Sequence, residues 1–166
     1  MESTPWLTKE AINFLEQVIK CRPDLKILEF GSGGSTIWFA QRTQFLVSIE
    51  HNPQWYEKVK KEVLELGFKL VDLRLIEHDY YNVCDEFPDQ YFDFILVDGR
   101  HRKKCISKGI RILKSGGILM LDDAQRAWYQ SINNLLIGWE SHKTQEEDSN
   151  PNSNTGITQT NWWIKP

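Results

Sequence analysis

Short apolar runs alternate along this chain with segments of helical spacing, and that alternation restricts it to a narrow set of folds. Lys26–Phe30, Phe45–Ile49, Phe92–Val97 and Ile118–Leu121 are almost continuously apolar. Runs of this kind suit strands covered on both faces, and parallel strands need crossover helices to cover them. Such helices are written between the runs. Ala11, Phe14, Leu15, Val18 and Ile19 recur at helical spacing behind Thr8, a potential cap, and Pro23 and Asp24 stop the pattern. A second helix is expected over Ser35–Gln41 and a third after Asn52 and Pro53, a cap and a first-turn proline, reaching Leu66 before Gly67. A fourth is expected over Arg102–Leu113.

Leu70–Ile76 differs, because Asp72 and Arg74 alternate with Leu73 and Leu75. One face of that strand is wet, as at a sheet edge. Downstream, Ala127, Trp128, Ile132, Leu135 and Leu136 predict another helix ending at Gly138, and Trp139–Gln145 carries only a faint strand pattern. A polar loop over Glu146–Gly156 then leads to a last strand, Ile157–Ile164. The expected architecture is one α/β domain over residues 1–166: a doubly wound, mostly parallel, seven-stranded Rossmann-like sheet with an antiparallel last strand.

A chain of 166 residues leaves little room for a separate substrate domain. Its net charge of −3, without long Lys or Arg runs, argues against nucleic acid as the main partner. Cys21, Cys84 and Cys105 form no C-x-x-C pair, which suggests neither a disulfide framework nor zinc and fits a reducing cytoplasm. No window approaches the ~18 apolar residues that span a bilayer, so no membrane role is expected.

Ligands of parallel α/β sheets bind beyond the carboxyl ends of the strands. Those ends carry Glu29 through Thr36, Glu50 and His51, His78 and Asp79, Asp98 through His101, and Asp122 with Asp123. The first turn, Glu29-Phe30-Gly31-Ser32-Gly33-Gly34-Ser35-Thr36, lets a ligand approach the backbone closely. A dinucleotide fingerprint wants glycine at position 36, where this chain has Thr. Glu50 follows Gly31 by 19 residues (50 − 31), close to the ~20-residue offset at which an acid meets a ribose.

With these residues in order, the chain resembles the class I S-adenosylmethionine-dependent methyltransferases, whose first motif reads acid-x-Gly-x-Gly-x-Gly. Glu29, Gly31 and Gly33 match it, and Ser35 replaces the third glycine. The likeness continues through Ser48-Ile49-Glu50-His51, Phe94-Ile95-Leu96-Val97-Asp98-Gly99 and Leu113-Lys114-Ser115-Gly116-Gly117. It implies that Glu29 and the backbone of Gly31, Ser32 and Gly33 hold the methionine part of the cofactor. It further implies Glu50 on the ribose hydroxyls, His51 against adenine, and Asp79 on the adenine amino group.

Asp98, Asp122 and Asp123 also look like the acids with which magnesium-dependent small-molecule O-methyltransferases hold Mg²⁺. Asp122 and Asp123 equally suit the N-cap of the helix expected through Trp128. Arg100 stands where several of those enzymes carry a further acid, and His101 or Asp98 is the candidate base. Arg100, Arg102, Lys103 and Lys104 suit either an anionic group of the substrate or a wet helix face. Cys84 and Cys105 are read as structural. The resulting expectation is O-methyl transfer to a small-molecule or glycan acceptor. An NAD-dependent oxidoreductase and a non-catalytic cofactor-binding module are the alternatives. Seven Trp residues and little material for a lid favour a homodimer closed by Phe14 or the Glu146–Gly156 loop of a second copy.

Overall fold

The strands form the doubly wound, mostly parallel sheet that the alternation predicts. In the computed structural model, which describes residues 4–148 and 156–166, β1 (Lys26–Phe30), β2 (Phe45–Glu50), β3 (Val71–Leu75), β4 (Phe92–Val97) and β5 (Leu113–Leu121) pair in parallel. β7 (Ile157–Ile164) runs antiparallel to β5 and to β6 (Glu140–Glu147), giving the order 3-2-1-4-5-7-6. The half-polar strand β3 lies at one edge, as its alternation predicts. β6 forms the other edge, where its Glu, Lys and His side chains discourage pairing with another sheet.

Alternate residues of each strand feed two cores. Leu28, Phe30, Val47, Ile49, Ile95, Val97, Leu119 and Leu121 pack on one face with Cys105 and Ile106 of α4 (Arg102–Ile112). On the other face, Ile27, Leu46, Phe94, Leu96 and Met120 meet Ala11, Leu15 and Ile19 of α1 (Lys9–Cys21) and Trp38 and Phe39 of α2 (Gly34–Ala40). α3 (Pro53–Glu65) adds Val59 and Val63 against Ile37. Its Asn52 cap forms as expected, with the side-chain oxygen accepting from the Trp55 amide at 3.0 Å.

Three local expectations are corrected. Thr8 precedes α1 but does not cap it: its hydroxyl pairs with that of Thr144 at 2.5 Å and its amide donates to the Thr160 hydroxyl at 3.1 Å. Tertiary partners in the last hairpin have outbid the local one. The helix expected from Ala127 shrinks to a 3-10 turn, Ala127–Tyr129, and one α-helical turn, α5 (Ile132–Leu135). Ser131, Asn133 and Asn134 there compete for the backbone and are poor helix formers. Glu146 and Glu147, assigned to the polar loop, extend β6, and most of that loop lies outside the described residues. Between β3 and β4 the chain makes a 3-10 segment, Tyr80–Glu86, that buries Tyr80, Tyr81, Val83 and Cys84. Among the described residues no helix is long and apolar enough to cross a membrane.

Trp162 locks α1 to the last hairpin. It is buried, stacked on Phe14 at 4.6 Å and on His142 at 5.0 Å between ring centres. Trp162→Ala should cost about 3–5 kcal/mol in chemical denaturation, and a loss below about 1 kcal/mol would show that the hairpin does not hold α1.

Candidate active site

Glu29 sits at the end of β1, fully buried beneath the glycine turn. One carboxylate oxygen accepts from the hydroxyls of Thr36 and Ser48, each at 2.5 Å, and Thr36 in turn accepts from the Gly33 amide at 2.8 Å. The Ser32 hydroxyl lies 2.7 Å from that of Ser48. Thr36, the residue that spoils the dinucleotide fingerprint, is thus the link between the acid and the turn. The other oxygen of Glu29 is buried without a partner. Burial pushes this carboxyl up to about 7 against the pull of the Ser35, Ser48 and Thr36 hydroxyls, with the Glu50 charge adding to the rise.

Glu50 ends β2 and is equally sequestered. Its carboxylate accepts from the amides of Ser32 at 3.0 Å, His51 at 2.8 Å and Asn52 at 2.7 Å. The Gly31 amide donates to the Ile49 carbonyl at 2.9 Å. All three amides of the turn, at residues 31, 32 and 33, therefore serve the chain itself. The Trp55 indole donates to the Ser32 carbonyl at 2.6 Å and closes the outside of the turn. Beside Gly33 the cleft stays open: a Cβ built there meets nothing nearer than 3.9 Å.

His51 Nδ1 lies 3.0 Å from a Glu50 oxygen but out of hydrogen-bonding alignment, which leaves this buried nitrogen unpartnered. Burial lowers its pKa, opposed by Glu50 and aided by Arg100 and His101. Asp79 is exposed and accepts from the Tyr81 hydroxyl at 2.5 Å, itself 2.9 Å from Lys104 Nζ. His101 is exposed beside the Tyr81 ring. Asp79, His101 and Asp123 hold φ of 48°, 51° and 52°, so three loops at the carboxyl edge carry a side chain in the left-handed region. Such strain gathers at working sites.

The acids after β4 and β5 come together, but around a guanidinium. Arg102, read from sequence as part of a basic helix face or a substrate contact, is buried with 6% exposure. Its Nη2 lies 3.1 Å from Asp98 Oδ1 and 3.3 Å from Asp123 Oδ2, and also donates to the Asp98 carbonyl at 3.0 Å. Nε donates to the Gly99 carbonyl at 2.8 Å and Nη1 to the Asp122 carbonyl. Arg126 makes a further ion pair with Asp123. The Asp122 carboxyl turns away to accept from the Thr160 hydroxyl at 2.9 Å. These residues do not fit a hard cation, which needs free oxygens converging at ~2.0–2.1 Å. No group of three or more His, Cys, Asp or Glu among the described residues is arranged to hold a metal ion.

Burial raises Asp98 to about 7, with Asp123 and Glu29 adding and Arg102 and Arg126 opposing. Asp122 is raised well above the usual carboxylate range, first by burial and then by Asp98 and Asp123. The Cys84 and Cys105 thiols are pushed up to about 12 by burial, which fits their structural reading. Sequence reasoning missed the links made by Thr36 and Ser48 and gave Arg102 a different role. A serine inside the apolar run of β2, and an arginine four residues after Asp98, were the available signals.

This strand order, with an acid ending each of β1 and β2 around a glycine turn, defines the class I methyltransferase architecture. A methyltransferase domain model matches residues 28–124, and the chain belongs to that family. A curated protein of Mycolicibacterium paratuberculosis, named as an O-methyltransferase, is 24% identical over 99 residues, 57% of this chain. The match spans 45% of that relative's length. Among solved structures, an O-methyltransferase from Bacillus cereus in complex with SAH superposes with a TM-score of 0.75 at 16% identity, covering 96% of this chain and 82% of that one. The SAM complex of an O-methyltransferase from Streptomyces achromogenes, involved in tomaymycin synthesis, gives 0.75 at 19% identity, with coverage of 96% and 82%. An rRNA methylase from Streptococcus thermophilus gives 0.67 at 15% identity, covering 98% and 100%. The shared feature is the fold.

Gly31 has φ +98°, and a Cβ there would lie 2.7 Å from the Gly99 amide nitrogen. Gly31→Ala should therefore cost about 2–4 kcal/mol, and an unchanged denaturation midpoint would show that the turn yields without cost. A pH series tests Glu29. Its folded pKa of about 7 exceeds its ordinary 4.5, so the unfolded chain releases this proton first and the associated stability is lost as pH rises through that window. Glu29→Gln should flatten the stability profile between those values, and an identical slope in the variant would refute the buried neutral carboxyl.

Proposed function

We propose that this chain binds S-adenosylmethionine at the carboxyl edge of β1 and β2 and transfers its methyl group to a hydroxyl oxygen of a small-molecule or glycan acceptor. One observation carries the choice of cofactor. A pyrophosphate needs free backbone amides and a positive site, whereas here the amides of Gly31, Ser32 and Gly33 are taken by Ile49, Glu50 and Thr36 and the strand-end side chains around them are acids. That rim suits a cationic sulfonium and ammonium. The unpartnered oxygen of Glu29 and the open space beside Gly33 are the fit on the protein side. Glu50 Oε2 accepts one amide and keeps a lone pair for a ribose hydroxyl. Asp79 is the acceptor available to an adenine amino group.

When bound, the cofactor supplies a methyl carbon whose bond to sulfur breaks as the acceptor oxygen attacks. The chain's own task is to align the two and remove the acceptor's proton. Asp98, whose carboxyl stands near neutrality at the cleft, and His101 on the same loop are the groups for that proton. The names of the Mycolicibacterium, Bacillus and Streptomyces relatives support oxygen as the methylated atom. We also propose a two-fold dimer, supported by the exposed Trp6, Trp128 and Ile137; a single-chain mass at every dilution in light scattering would remove it.

Calorimetry with SAH and with NADH tests the cofactor. SAH should bind and NADH should not, and Glu50→Ala should weaken SAH by about 1–3 kcal/mol. Binding of NADH alone would replace this reading with an oxidoreductase. SAH binding without turnover of any hydroxylated acceptor would leave a non-catalytic module.

A further inference from the structure

We infer that Arg102 takes the place a divalent cation would fill in this cleft, so that acceptor binding here uses no metal and suits a single hydroxyl, not a chelating pair. Five oxygens point at the guanidinium: the carbonyls of Asp98, Gly99 and Asp122, and the carboxylates of Asp98 and Asp123. Together they form an oxygen cage of the kind that attracts a hard cation. Arg102 fills it from the first turn of α4, with all three guanidinium nitrogens donating. Nη2 already lies within 3.3 Å of both carboxylates that a metal would need to bridge.

Charge gives the same answer. Two guanidinium groups, Arg102 and Arg126, already pair with the two carboxylates of the cage, Asp98 and Asp123, before any ion arrives. The third acid of the expected ligand set, Asp122, is committed to Thr160. A cation entering here would have to displace a buried arginine and face the positive charge of its neighbour. Arg102 is then a positioning residue. It fixes the loop after β4, which carries Asp98 and His101, at a set separation from the loop after β5. A metal would have to grip two oxygens of its acceptor to orient it, and the arginine removes that requirement.

The inference rests on the reading of this cleft as the acceptor side of a methyltransferase, but its test is made without cofactor or acceptor, so that the two fail separately. Mn²⁺ is titrated into the full chain and free ion is followed by electron paramagnetic resonance. Wild type should leave the Mn²⁺ signal undiminished, and Arg102→Ala should take up one ion per chain and be stabilised by Mn²⁺ in a thermal melt. Stoichiometric Mn²⁺ uptake by wild type, abolished in Asp98→Asn, would overturn the inference. So would a folded Arg102→Ala chain that ignores the ion. Should that variant not fold, Arg102→Lys, which keeps the charge with a narrower set of donors, is titrated beside wild type, and stoichiometric Mn²⁺ uptake by either overturns the inference.

Discussion

Everything at the cofactor edge hangs on one buried carboxyl. Glu29 collects hydroxyls from β2 and α2 at a point where water does not reach, and through Thr36 it sets the Gly33 amide. A buried acid is costly unless its partners are fixed. The strand register therefore has to place Ser48 opposite Glu29, and the pairing of β1 with β2 does so. Once that register is fixed, Glu50 falls two residues further on, within reach of Ser32. The glycine turn is thus a consequence of strand pairing as much as of its glycines.

Arg102 does for the next pair of strands what Glu29 does for the first. It ties the loop after β4 to the loop after β5 through carbonyl groups, contacts that survive changes of side chain. Gly99 and Gly31 let the two halves meet, since a Cβ on either would strike the other's backbone or the Tyr80 hydroxyl. Glu29 on one side and the Arg102 guanidinium on the other are both buried, each held by neighbours it also organises.

Much of this was legible in the sequence because the signals are local. Five parallel strands follow from runs such as Phe45–Ile49, the α3 cap from Asn52 and Pro53, and the edge position of β3 from Asp72 and Arg74. The acids at the strand ends were found for the same reason. What escaped depends on partners far along the chain. Thr8 gives up a cap for Thr144 and Thr160, 136 and 152 residues away, and no local pattern announces that trade. Arg102 looks like any surface arginine beside Lys103 and Lys104 until β5 brings Asp123 to it. The same holds for β6, whose polar residues pair only because β7 is there to receive them.

The left-handed backbone at Asp79, His101 and Asp123 has an engineering consequence. Each side chain sits where glycine would rest more easily, at a cost of order 1 kcal/mol or more apiece. A search for a hardier version of this protein would reach these positions early. At Asp79 and His101, both exposed, glycine would relax the backbone at the loss of one polar side chain, whereas at Asp123 it would also take a carboxylate from the buried Arg102, so the same backbone relief is offset by a lost ion pair at one position of the three.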